Sequence, residues 1–346
     1  MPRGGIADLV KTETASFALE ADLAVPSQNG GADTAYQYKI EVEINTRSGA
    51  LANRHEFLSA LSVSGEPKGS PAIQPEGDRI LIRRQTGGGR PREEQLGQGY
   101  AVLSDRRFVA PAHRTIDAVR TELQDWRAYY FSPAAMRTAT PPHAVPDIGI
   151  AGEYLAPFLY RLKSEHPRRF AAVARALRSI VPSIEAVDIS LDTNRGILDL
   201  WIRQDGVFYS SRVVSEGTLR VLSLCTLAVN PWSSSLLAFE EPENGVHPRR
   251  IELVARMLTS LALDENRQVI VTTHSPLFCG AVLREARSRS TKDVGLFSVR
   301  RSGHQTDVRA FDSGPLFADR LISESLSESG EDALFENLVL RGLIDE

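Results

Sequence analysis

Between Leu236 and Pro248 the chain reads LLAFEEPENGVHP, four apolar residues leading directly into two adjacent carboxylates, Glu240 and Glu241. A short apolar run of this kind, bounded by polar residues, reads as a strand. The two acids then fall at its C-terminal end, the edge at which open α/β sheets collect their ligands. Adjacent carboxylates repel and raise each other's pKa at low dielectric, so such a pair calls for a cation, unless it is simply a solvated acidic strand end.

Two flanking stretches narrow the choice. Upstream lies Val213–Arg220, VVSEGTLR, in which Ser215 is a good N-cap and Glu216 and Gly217 fill the first turn of a helix that ends at Asn230 and Pro231. The free N–H groups and dipole of such an end attract anions, and Gly217 lets a phosphate come close to the backbone. Taken alone, the same residues also describe an ordinary capped core helix. Arg220, one turn beyond the cap, can hold a phosphate or pair with Glu216 at i, i+4. Downstream lies Gln268–Pro276, QVIVTTHSP, an apolar strand closed by a turn bearing His274. A lone histidine is more often structural than catalytic, but this one also stands at a strand's C-terminal end. No HExxH or Cys/His cluster points to zinc.

In order and spacing, the three stretches resemble the signature motif, Walker B strand and switch histidine of ABC-type ATPases. The closer resemblance is to the predicted AAA-type ATPases related to the SMC, RecF and OLD ATPases, in which a loop of the form SxGTLR, an EEPE after the Walker B strand and a THSP recur together. It extends more loosely toward both ends, from RGGI at residues 3–6 to a final helix. The resemblance implies an α/β, P-loop NTPase-like fold, an ABC-type head with a parallel or mixed sheet, a β-rich N-terminal lobe and an inserted helical lobe. It implies binding and Mg²⁺-dependent hydrolysis of ATP. Glu240 would orient the Mg²⁺ shell, Glu241 would be the general base and His274 the γ-phosphate sensor. Ser215, Glu216, Gly217 and Arg220 would form the loop that caps the nucleotide of the opposite subunit, and Pro242 to His247 would lie at the subunit contact. The expected assembly is a nucleotide-dependent, head-to-tail homodimer with two composite sites, serving a DNA-related or phage-defence process. The alternative is an inactive or truncated ATPase-fold interaction module, or the ATPase partner of a separate nuclease. The OLD proteins carry a C-terminal Toprim domain, and the roughly 70 residues after His274 are too few for one.

One part of the family pattern is missing. A hydrolysing member needs GxxxxGK[ST], whose amides and lysine cradle the β- and γ-phosphates. None of the five lysines (11, 39, 68, 163, 292) follows a glycine, and Gly87 to Gly89 precede Arg90 outside a strand-to-helix setting. Relatives carry the P-loop before the RGGI-like segment, which here begins at Arg3. A strand, loop and helix of about 40 residues is therefore expected upstream, lost through a misassigned start, a truncated gene or decay of the activity.

Composition sets wider bounds. At 346 residues with 42% hydrophobic content the chain can bury a substantial core. A net charge of −4 gives no global basic field, so a nucleic-acid contact would need a local patch. Arg83, Arg84, Arg90, Arg92, Arg106 and Arg107 offer one, but Glu93, Glu94 and Asp105 interrupt it, as on a solvated surface. Cys225 and Cys279 sit inside apolar patterns and read as buried, reduced thiols. With no secretory h-region and no long apolar run, the expected location is the cytoplasm, without a membrane span.

The expected organisation is one domain over 1–346: a β-rich lobe at 1–110, a helical lobe at 111–185 and the motif-bearing ATPase half at 186–346. In the first lobe Tyr36, Tyr38, Ile40, Val42 and Ile44 alternate with polar residues in a strict period of two, Asp78–Arg84 is a second strand and Thr86–Gln95 an exposed loop. Helices are expected over 113–126, 152–162 and 167–180, strands over 187–191, 197–202 and 207–209. From 215 onward helix and strand alternate, which predicts a parallel sheet.

Overall fold

The computed structural model describes residues 16–26, 32–45, 48–87, 89–232, 234–265, 267–303 and 305–310. The RGGI segment and the expected final helix lie outside them. The chain divides into two compact units, Met1–Asp125 and Trp126–Glu346, and the division falls inside the stretch expected as a helical lobe.

Among the described residues the first unit carries six strands: β1 (Ser16–Val25), β2 (Thr34–Ile44), β3 (Leu51–Leu61), β4 (Pro67–Glu76), β5 (Arg79–Ile82) and β6 (Arg92–Gln95). They form an antiparallel sheet in sequence order. A helix, α1 (Arg114–Asp125), ends the unit and buries Ile116 and Val119. The alternation in β2 is only partly expressed: Tyr38 and Ile44 are buried, while the polar positions between them are half-covered rather than wet. Their neighbours on β1 and β3 flank β2 on both sides, and a register shift between Glu41 and Val42 breaks the strict period.

The stretch expected as a loop contains β6. Arg92–Gln95 pairs with Arg79–Ile82, and Arg79 Nη1 lies 2.5 Å from Glu93 Oε2 across the strands. An edge strand needs backbone pairing on one side only, so it tolerates, and is protected from further pairing by, the charges that suggested a loop.

A buried carboxylate organises this unit. Glu56 on β3 is 0% exposed. It accepts hydrogen bonds from the backbone N–H of Val102 (2.7 Å) and Leu103 (2.8 Å), from Asn53 Nδ2 (2.5 Å) and from the Tyr38 hydroxyl (3.1 Å). Arg120 of α1 takes the carbonyls of the same segment, donating to Leu103 O (2.6 Å), Asp105 O (2.9 Å) and Phe108 O (2.6 Å). The segment lacks a regular ladder, so these two side chains satisfy backbone that would otherwise be buried unpaired.

The second unit opens with β7 (Arg127–Tyr129), α2 (Pro133–Met136), α3 (Leu155–Glu165) and α4 (Pro167–Ile180). Then come β8 (Ile184–Asp192), β9 (Ile197–Gln204) and β10 (Val207–Ser210), an antiparallel sheet in the order β10-β9-β8. The alternating part follows: α5 (Glu216–Ala228), β11 (Leu236–Glu240), α6 (Pro248–Leu263), β12 (Gln268–Thr272) and α7 (Pro276–Ser288). β11 is the middle strand of a parallel sheet, with β12 on one side and β7 on the other. Tyr129 of β7 stacks on Phe239 of β11, centroids 5.4 Å apart. The last pair, β13 (Phe297–Ser302) and β14 (Gln305–Ala310), is an antiparallel hairpin rather than a continuation of the parallel sheet. The sheets are thus mixed.

α5 is buried almost all round, with Leu219, Val221, Leu222, Leu224, Cys225 and Leu227 in the core. Of its buried hydroxyls, Ser223 and Thr226 return to their own helix, to Leu219 O (3.1 Å) and Leu222 O (2.8 Å), and Thr218 meets the Ser215 hydroxyl at 2.8 Å. Among the described residues no helix is long and apolar enough to cross a membrane.

This packing can be tested at two places. Glu56→Ala strands two backbone N–H groups and two side chains, and should cost about 3–5 kcal/mol in urea unfolding. Because Glu56 and Arg120 serve one segment, their double variant should fall short of additivity by about 0.5 kcal/mol or more, and strict additivity would separate the two groups. Burial pushes the Cys225 thiol up to about 12, and burial together with the charge of Glu243 pushes Cys279 up to about 11. Since the thiolate is the reactive form, neither should titrate with a disulfide reagent at about pH 8 until the protein is unfolded. Prompt reaction of the folded protein would contradict this.

Candidate functional site

The strand end carries the expected acids in an unexpected backbone. Glu240 is the last residue of β11, in register with Thr272 of β12. Glu241 follows with φ = +44°, a left-handed conformation that side-chain-bearing residues rarely hold and that costs on the order of 1 kcal/mol or more. Two backbone bonds impose it: Glu241 N–H donates to Thr272 O (2.9 Å), and Asn244 N–H donates to Glu241 O (3.0 Å). The turn aims the Glu241 side chain away from the core. Its Oε1 lies 3.6 Å from His274 Nε2, and its Oε2 accepts a weak bond from Asn244 Nδ2 (3.4 Å). The His274 side chain is 86% exposed.

Behind these two residues Glu243 is buried, 8% exposed. Its Oε1 accepts a short hydrogen bond from the Thr273 hydroxyl, while its Oε2 is buried without a partner. Burial raises its pKa, the Thr273 bond lowers it and the charge of Glu241 raises it again, with a net upward shift. Thr273 Oγ1 in turn accepts from Ser275 N–H (3.0 Å), and Ser275 caps α7 by accepting from Phe278 N–H (3.3 Å). The sequence places Glu243 only in the stretch expected at the subunit contact. The third acid of the EEPE, standing one position beyond a proline, was the available signal.

The VVSEGTLR stretch meets the same turn. Ser215 is the N-cap of α5, its Oγ accepting from Thr218 N–H (3.3 Å) and lying 2.8 Å from the Thr218 hydroxyl. A Cβ on Gly217 would stand inside van der Waals contact of the Gly245 carbonyl oxygen, 3.0 Å from its carbonyl carbon and 3.3 Å from Val246 Cα. The approach of the chain's own backbone therefore by itself requires a glycine here. Gly245 itself has φ = +71°.

Glu216 is exposed, and its ion-pair partner is Arg137, with Nη1 3.7 Å from Oε1, rather than Arg220. Arg137, absent from the sequence reading, also donates from Nη2 to Val214 O (2.8 Å), tying the end of α2 to the loop before α5. The Nε of Arg220 is buried without a hydrogen-bond partner, so of the two roles open to Arg220 the i, i+4 pair is not formed. The structure thus joins Glu241 to His274, and Gly217 to the turn that follows Glu241. In the first unit Arg92 and Arg107 are ion-paired to Glu94, and Arg107 also to Asp105, so the arginine cluster is partly neutralised.

A parallel sheet whose middle strand ends in paired acids, beside a histidine turn and a capped helix N-terminus, defines a nucleotide-hydrolase-like α/β class. Residues 27–280 match the family described as "AAA domain, putative AbiEii toxin, Type IV TA system", and the chain belongs to that family. Its fold is P-loop NTPase-like, α/β with mixed sheets, and the family is of ATPase type. A curated relative, the energy-coupling factor transporter ATP-binding protein EcfA2 of Staphylococcus aureus (strain USA300), is 32% identical over 82 residues, 23% of this chain and 28% of the relative. The chain thus spans little more than a quarter of the length of the curated relatives it matches. Among solved structures, an SMC head domain from Thermotoga maritima is similar over 80% of this chain and 74% of its own, at 12% identity and TM-score 0.33. An Smc head domain with an extended coiled coil, bound to the C-terminal domain of ScpA and derived from Pyrococcus furiosus, is similar over 87% and 82%, at 10% identity and TM-score 0.38.

The glycine contact has a direct test. Gly217→Ala must push the start of α5 away from the turn at Gly245 and Val246, and should cost about 1–3 kcal/mol by thermal unfolding. Full stability in that variant would mean that the two backbones do not meet.

Proposed function

We propose that this chain is the ATP-binding and ATP-hydrolysing head of a nucleotide-dependent, head-to-tail dimer. The observation that carries the reading is Glu241, held in a left-handed turn at the end of β11 with its carboxylate 3.6 Å from His274. Glu241 would accept the proton of the attacking water, and His274 would contact the γ-phosphate. Ser215 and the N–H groups of the first turn of α5, with Arg220, would cap the nucleotide held by the neighbouring subunit. The Glu240 carboxylate would hold Mg²⁺, which would supply charge neutralisation at the β- and γ-phosphates. Among the described residues no group of three or more His, Cys, Asp or Glu forms a metal cage. Mg²⁺ characteristically uses one or two carboxylates plus substrate phosphates and water, so the acid pair suits it.

A DNA-related or phage-defence role is the process we favour, in keeping with the toxin–antitoxin description of the family. The competing reading, a non-hydrolysing interaction module or the partner of a separate nuclease, is favoured by one observation: the sequence contains no GxxxxGK[ST].

Turnover separates the two. Residues 1–346 alone should bind ATP weakly by calorimetry and release phosphate near background, and addition of a P-loop strand, loop and helix should restore both. In the restored protein Glu241→Gln should lower turnover about 10²–10⁴-fold while leaving ATP binding largely intact. Unchanged turnover would remove Glu241 from its role. A mixture of Ser215→Ala and His274→Ala proteins should regain activity through one intact hybrid site, and heterodimers no better than either parent would sink the composite arrangement.

A further inference from the structure

The two catalytic loops are joined at two levels. The backbone joint is the bond from Glu241 N–H to Thr272 O, 2.9 Å. The side-chain joint is the chain of groups Glu243, Thr273 and Ser275, in which the Thr273 hydroxyl donates to Glu243 Oε1 and accepts from Ser275 N–H at 3.0 Å. His274 lies between Thr273 and Ser275, the two residues that this chain of bonds holds. Its own side chain is 86% exposed, so packing does not orient it, and its one ion-pair contact is the 3.6 Å approach to Glu241. What fixes its place is therefore the backbone on either side of it.

We propose that Glu243 is the positioning residue for His274: through the Thr273 hydroxyl it sets the turn 273–275 that carries the imidazole to Glu241. The inference rests on the reading of Glu241 and His274 as the reacting pair, and assigns the third acid of the EEPE a task different from that of the first two. A carboxyl that is 8% exposed is a costly way to secure one hydroxyl, and a core residue would more simply be apolar. A buried acceptor suits positioning for a specific reason. It compels the threonine to point its proton inward, which leaves the threonine oxygen lone pairs for Ser275 N–H. The direction of both bonds is thereby fixed. An apolar residue at 243 would leave the hydroxyl free to rotate, and the Ser275 amide with a disordered acceptor. Ser275 is also the cap of α7, so the same chain ties the imidazole-bearing turn to the helix that follows.

The test needs no nucleotide and uses the chain as it stands. The protein is labelled with ¹³C-histidine, the His274 ring resonance is assigned by its loss in His274→Gln, and Ser275 and Phe278 amide exchange is followed in parallel. Glu243→Ala and Thr273→Val should each shift the His274 resonance, abolish its response to Glu241→Gln and speed exchange at Ser275 about tenfold or more. The Glu243→Ala/Thr273→Val double variant should look like either single one, because both cut the same chain. Glu243→Gln keeps an acceptor for Thr273 and should restore the His274 signature. An unmoved His274 resonance in folded Glu243→Ala would overturn the proposal, as would a normal one in Thr273→Val. Should Glu243→Ala not fold, Thr273→Val and Glu243→Gln decide the matter. These readouts are independent of turnover, so a failure of Glu241→Gln to slow hydrolysis would remove the proposed function and leave this result standing.

Discussion

The β11–β12 ladder runs one residue further than the strands themselves, and the rest of the site hangs from that extra rung. Glu240 faces Thr272 in regular register; the next amide, that of Glu241, still reaches back to Thr272 O although its own φ has already turned to +44°. A chain that stays paired while it turns must place its next side chain out of the strand plane. The Glu241 carboxylate consequently leaves the sheet toward solvent and His274, instead of alternating into the core as a sixth strand residue would. The buried side chains of β11, Leu237 and Phe239, supply the energy that holds the unfavourable turn, and Tyr129 stacked on Phe239 is part of that support. Strain of this kind survives only where surrounding structure over-determines it.

The strand, the acid pair, the capped helix at Ser215 and the histidine turn were all legible in the sequence, because each is encoded locally. An apolar run of a few residues, an N-cap and a proline at the first position of a helix are short-range signals. The conformation of Glu241 was not legible, since no glycine or asparagine marks it and only the pairing with β12 imposes it. The packing reason for Gly217 was not legible for a similar cause: the residue it accommodates, Gly245, is far along the chain. The burial of Glu243 was not legible either: the sequence places it only within the expected subunit-contact stretch, Pro242 to His247, whereas the turn after Pro242 carries it inward.

Elsewhere the misses share one origin, short elements stabilised by a partner. β7 has three residues and no readable period; its identity as a strand comes entirely from lying beside β11. β6 is strongly charged and is a strand because β5 offers it a free edge. The β13–β14 hairpin exposes Phe297, Val299 and Val308, so its alternation does not mark a buried face in the usual way. Conversely α4, whose buried Val173, Leu177 and Ile180 recur at helical spacing, was predictable from end to end, since its own sequence contains the whole signal.

The meeting of Gly217 with Gly245 has a mechanical meaning. Most neighbouring elements in a protein touch through side chains, whose rotamers can absorb small displacements. Here the two main chains bear on each other with no side chain between them. A shift of a few tenths of an ångström at the start of α5 has no soft torsion in which to dissipate at that point, and must pass into the turn behind Glu241 as a movement of the backbone itself. The joint behaves as a rigid bearing between a helix end and a strand end.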